Sequence, residues 1–114
     1  MTPKRYKVVI AQSGKMDVKD KKKHILQQFK YREYAENYSQ RVKKAVIKLD
    51  VFPAGYEQTG FQYRGYDIYM KPDHNNLLFF TVNEETAVVT VLRVLQDGMD
   101  WEYIIRKWLE RNNK

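Results

Sequence analysis

Between Ala87 and Leu95 the chain reads AVVTVLRVL, and only Thr90 and Arg93 interrupt its apolar character. Its β-branched side chains predict a strand covered on both faces, the centre of a sheet, around which everything else must be arranged. A short turn follows, and Met99-Asp100-Trp101 opens a last helix. Arg93 is the anomaly. A guanidinium stays charged at any ordinary pH, so inside such a strand it must reach water or meet an anion. Two readings stand. Either a neighbouring carboxylate pairs with it and holds the fold together, or it lies on a concave face of the sheet and receives a phosphate or a partner's carboxylate.

The segments before this strand supply its neighbours. Tyr6–Ala11 (YKVVIA) predicts a short strand ended by Ser13-Gly14. A helix is expected from Lys15 to about Tyr31, with Asp17 and Asp20 suited to its positively polarised first turn and a thin stripe of Val18, Ile25, Leu26 and Phe29. The next helix is clearer: Ala35, Tyr38, Val42, Ala45, Val46, Leu49 and Phe52 recur at helical spacing, and Pro53 and Gly55 stop it. No Gly or Pro separates the two helices, so two helices meeting near Tyr31–Tyr34 or one bent helix both fit.

After Pro53 the period changes. Ala54–Gly65 carries three glycines and reads as a loop or a weak edge hairpin. Tyr66–Lys71 alternates as a strand, Pro72–Asn76 has turn chemistry, Leu77–Val82 is a strand of core composition, and Asn83–Glu85 is a tight turn before Thr86–Leu95. Connections this short force the three strands into an antiparallel meander. Asp100 is a helix N-cap, and Trp101, Ile104, Ile105, Trp108 and Leu109 share one apolar face. Packing of both tryptophans on the sheet is the simpler role for that face; docking of a partner is the alternative. The order is β-α-α-β-β-β-α, an α+β fold in which an antiparallel sheet packs against an N-terminal helical hairpin and a C-terminal helix.

Charge and composition narrow the function. At 114 residues one domain spanning 1–114 is expected. The net charge is +7, and residues 15–48 alone carry +7, so the predicted hairpin is the basic part. Such a face favours polyanions or acidic proteins. For Lys21–Lys23 a solvated surface is the expected state. With no cysteine, disulfides and thiolate chemistry are excluded. His24 and His74 are the only histidines, and no metal site or cofactor is expected. No signal peptide or membrane-spanning run is read, so a cytoplasmic setting without membrane attachment is expected.

RNA cleavage through a 2′-hydroxyl remains chemically open. It needs a proton acceptor, a proton donor and cations for the extra phosphate charge. Arg93, Arg64, Lys71, His74 and Tyr69 are the candidates for those tasks. Histidine titrates closest to neutrality, which makes His74 the best-poised acid or base, although its turn setting also suits an inert, exposed residue.

In their order, YKVVIA, the helix ending KLDVFPAG, YRGYDIYM, LLFFTV and above all VTVLRVLQDGMDW resemble the RelE/ParE superfamily of toxins from bacterial type II toxin–antitoxin modules. The resemblance covers about residues 6–109. It implies a growth-inhibiting toxin, often encoded by plasmid-stabilising modules and held inactive by a cognate antitoxin. RelE-like members cut mRNA on the ribosome; ParE-like members inhibit DNA gyrase. Gln96 stands where many relatives carry histidine, basic residues on the preceding strand are reduced to Arg64 and Lys71, and a long helix follows Met99-Asp100. These departures tilt the expectation toward the ParE-like branch. Candidate contacts to antitoxin or target are Arg41, Lys44, Lys48, Arg93, Trp101 and Trp108, weighed for the three helix residues against ordinary solvation.

Overall fold

A strand as apolar as the one predicted around Arg93 needs neighbours on both edges and cover on both faces, and the computed structural model, which describes residues 4–112, supplies them. The elements are β1 (Lys7–Ile10), α1 (Gln12–Phe29), α2 (Arg32–Ile47), short 3-10 turns at Lys48–Asp50 and Pro53–Gly55, β2 (Glu57–Tyr63), β3 (Tyr66–Asp73), β4 (Asn76–Asn83), β5 (Val88–Gln96) and α3 (Trp101–Asn112). The sheet order is β1-β5-β4-β3-β2. β2 to β5 form an antiparallel meander, and β1 lies parallel to β5.

Each face of the sheet has its own core. The helical hairpin brings Ala35, Tyr38, Val42, Val46 and Leu49 against Leu78, Phe80, Val89 and Val91. On the other face Ile105 and Trp108 of α3 meet Ile68, Phe79, Leu92 and Leu95. A bulge in β5 sets which residue goes where. Phe79 pairs with Arg93 and Phe80 with Val91, leaving Leu92 as the extra residue. The bulge gives Leu92 and Arg93 to the α3 side and returns Val94 to the hairpin side.

β1 ends at Ile10, opposite Val91, so the rest of β5 would have an open edge. The start of α1 closes it. The Ala11 N–H donates to the Val91 carbonyl at 2.9 Å, and the Ser13 hydroxyl donates to the Leu92 carbonyl at 2.6 Å. The Val94 N–H donates to Asp17 at 2.9 Å. Gly14 permits this approach: a Cβ there would lie 3.0 Å from the Ile10 side chain and 3.2 Å from the Val91 carbonyl oxygen.

Several expectations change in detail. Ser13-Gly14 does not end β1 but forms the first turn of α1. Two helices are present rather than one bent helix, because Lys30 adopts a left-handed conformation (φ 60°) and its N–H caps the Leu26 carbonyl. α2 stops at Ile47, and Phe52, assigned to its apolar stripe, is 72% exposed at φ 50°. Residues 57–63, read as loop or weak hairpin, form the edge strand β2, with a register shift around Gly60. Pro72 sits inside β3 rather than in a turn, beyond the last β2 pairing at Met70, where its missing N–H breaks no bond to β2.

Candidate functional site

The side chain of Arg93 finds its anion within the chain. Its Nε donates to Asp17 Oδ2 at 2.7 Å and its Nη2 to Oδ1 at 2.9 Å, a bidentate pair. Its guanidinium carbon lies 6.0 Å from the Trp108 ring. Only 14% of the Arg93 side chain and 15% of that of Asp17 are exposed. Asp17 therefore serves three donors, two on Arg93 and the Val94 N–H, and locks α1 onto β5. This is the internal-pairing reading of Arg93, and it occupies the guanidinium edge that a phosphate would need.

The remaining candidates for RNA cleavage are kept apart. Lys71 is buried, and its Nζ donates to the Ala45 carbonyl at 3.1 Å while lying 5.4 Å from the Tyr56 ring. The last carbonyls of a helix lack intrahelical donors, so an ammonium there satisfies one of them and offsets the negative end of the α2 dipole. Tyr69 stacks on Phe80 at 5.7 Å within the hairpin-side core. Arg93 pairs across the ladder with Phe79, on the opposite face. Arg64 lies in the β2–β3 turn at φ 51°, its guanidinium 5.0 Å from the Tyr63 ring. His74 lies in the β3–β4 turn at φ 54°. The length of β3 separates those two turns by about 25 Å. Gln96, which stands where relatives carry histidine, donates from its side-chain amide to Asn76 at 3.0 Å.

Both tryptophans belong to the α3-side core rather than to an open docking surface. Trp108 is 7% exposed with Tyr63 at 5.1 Å, and the half-buried Trp101 lies 5.4 Å from Phe79 and 6.4 Å from Phe61. Asp100 caps their helix, accepting the Tyr103 N–H at 3.3 Å. Arg41, Lys44 and Lys48, by contrast, are exposed, and with Asp73 and His74 they line a depression of about 260 Å³. A larger groove of about 550 Å³ adjoins it, bordered by Ile25, Phe29, Tyr34, Tyr38, Arg41 and His74. The groove was not visible in the sequence, because it needs the α1–α2 hairpin and the β3–β4 turn side by side.

Tyr38, assigned to the core by its spacing, has a second property. Its buried hydroxyl has no protein hydrogen-bond partner among the described residues. Burial, reinforced by the charge of Asp17, pushes the phenol up to about 12 from 10.0. The native state thus holds this proton more tightly than the unfolded chain. Its stabilising effect is complete below pH 10.0 and is lost as the pH rises toward about 12. Tyr38→Phe should be at least as stable at pH 7 and should lose less stability between pH 9 and 11. Urea midpoints of both proteins at the three pH values check this; parallel losses would refute it.

Two features bound the chemistry further. Among the described residues, no three His, Cys, Asp or Glu side chains gather as metal ligands, and no helix is long and apolar enough to cross a membrane. A family model described as the ParE toxin of the type II toxin–antitoxin system parDE matches residues 8–101. This chain belongs to the ParE toxin family. No curated protein matches it significantly by sequence. Solved structures extend the relation at the level of fold. A chain from the chromosomal ParDE system of P. aeruginosa aligns with a TM-score of 0.67 at 12% identity, over 82% of this ParE-family chain and 98% of its own. A chain of the RelBE2 toxin–antitoxin complex from Mycobacterium tuberculosis aligns with a TM-score of 0.57 at 16% identity, over 87% and 97% of the two chains. The α+β architecture and the RelE/ParE kinship read from the sequence are thereby established.

Proposed function

We propose that this ParE-type toxin inhibits DNA gyrase by binding and is neutralised by a cognate antitoxin. The observation that carries the reading is the dispersal of the ribonuclease candidates. Arg93 is held by Asp17, Lys71 by the Ala45 carbonyl, Tyr69 by Phe80, and Arg64 and His74 occupy opposite ends of β3. General acid–base catalysis needs its donor and acceptor within hydrogen-bond reach of one scissile group, and this arrangement does not provide that. A toxin acting by contact alone has no such requirement. The antitoxin is expected from the family and from relatives solved as toxin–antitoxin systems.

Purified chain at stoichiometric excess should abolish gyrase supercoiling, and co-expression of the neighbouring reading frame should relieve growth arrest. Unchanged supercoiling overturns the gyrase reading. The RelE-like alternative makes the opposite demand: ribosome-dependent mRNA cleavage that falls about ten-fold or more in both Arg93→Ala and His74→Ala. Intact programmed mRNA after incubation with ribosomes and toxin is the expected result.

A further inference from the structure

The hairpin face joins the basic residues already named as candidate contacts to antitoxin or target with a set of exposed rings that neither reading uses. Arg41 and Lys44 of α2 and Lys48, the first residue of the 3-10 turn after it, follow one another along an exposed ridge about 10 Å long. Among the described residues none of the three is in an ion pair, whereas on the same hairpin Lys22 pairs with Glu36. Asp73 is the acid in the depression they line. Arg41 and His74 also border the adjoining groove, so the cationic ridge and the groove form one continuous surface.

Two rings that border that groove, Phe29 and Tyr34, and the neighbouring Tyr31 are open to solvent. Phe29, Tyr31 and Tyr34 are 49%, 63% and 51% exposed. Tyr34 packs edge-to-face with both others, at 5.6 Å from Phe29 and 5.8 Å from Tyr31, which fixes the rings while leaving ring surface in solvent. A row of unpaired cations leading to fixed, exposed rings is the combination that holds an unpaired polynucleotide: cations follow the phosphates and rings stack on bases. A duplex would present phosphates but hide its base faces. A peptide of acidic residues alone, such as polyglutamate, would meet the cations but has no flat π-faces to match the rings.

We propose that this face binds single-stranded nucleic acid, with phosphates along Arg41, Lys44 and Lys48 and a base against the Phe29–Tyr34 pair. The site is independent of gyrase, so failure of either reading leaves the other standing.

Fluorescence anisotropy of the purified chain with a labelled oligothymidylate about twelve nucleotides long tests it. Three phosphate contacts give a log K against log salt slope of about −2 between about 50 and 200 mM salt. Arg41→Glu/Lys44→Glu should abolish binding. Tyr34→Ala, with unchanged circular dichroism and melting, should weaken it about ten-fold, and an abasic strand of equal length should bind the wild-type chain equally weakly. Oligouridylate in place of oligothymidylate reports which sugar is preferred, and binding of either upholds the site. The proposal is overturned if thymidylate and abasic strands bind alike, if Tyr34→Ala changes nothing, or if polyglutamate competes as well as the oligonucleotide.

Discussion

Asp17→Ala is expected to destabilise the protein by about 3 kcal/mol, a large effect for one carboxylate. The substitution leaves the largely buried Arg93 guanidinium without its counter-charge and removes the acceptor of the Val94 N–H. Breaking a buried pair from one side costs more than the pair is worth, because the surviving charge has lost both water and partner. Asp17→Leu/Arg93→Met should therefore recover most of what Asp17→Ala loses. Equilibrium urea unfolding of the three proteins decides the matter. A loss below about 1 kcal/mol for Asp17→Ala would mean that water, not the carboxylate, accommodates the guanidinium.

Trp108→Ala is the second large effect. Removing a ring that is 7% exposed and packed between Tyr63, Arg93 and the α3-side core should cost about 3–5 kcal/mol. In a chain of this size that lowers the Tm by roughly 15 °C. A docking residue would behave differently, leaving the melt intact while weakening a partner's affinity. Calorimetry of the isolated chain separates the two roles, and an unchanged Tm would return Trp108 to the list of contact residues.

The sequence announced β5 because burial on both faces leaves a compositional mark, and the regular stripe of α2 did the same. The antiparallel order of the meander followed from short connections. What stayed hidden depends on contacts between distant segments. Asp17 looks like a residue suited to a helix N-terminus; that it is the counter-ion of Arg93 appears only when α1 starts at Gln12 and lies across β5. Lys71 alternates correctly in its strand, yet nothing local says that it points at the end of α2. β2 was obscured by glycine and by polar residues that an edge strand can expose. The turn between the helices was unmarked because a lysine occupies the left-handed position that glycine more often fills.

The fastening of α1 to β5 also sets a timetable. Its bonds join residues 79 and 77 positions apart, Ser13 to Leu92 and Asp17 to Val94. Closing so long a loop is slow and gains nothing until both ends are present. At translation speeds of about 5–20 residues per second, the amino-terminal strand leaves the ribosome roughly 4–16 s before the segment that will receive it. Throughout that interval β1 has no ladder to join and Asp17 no cation to hold. A nascent chain is thus unable to complete its native sheet until Gln96 has been synthesised, and synthesis that stops before Val88 leaves β1 and β4 without the strand that lies between them.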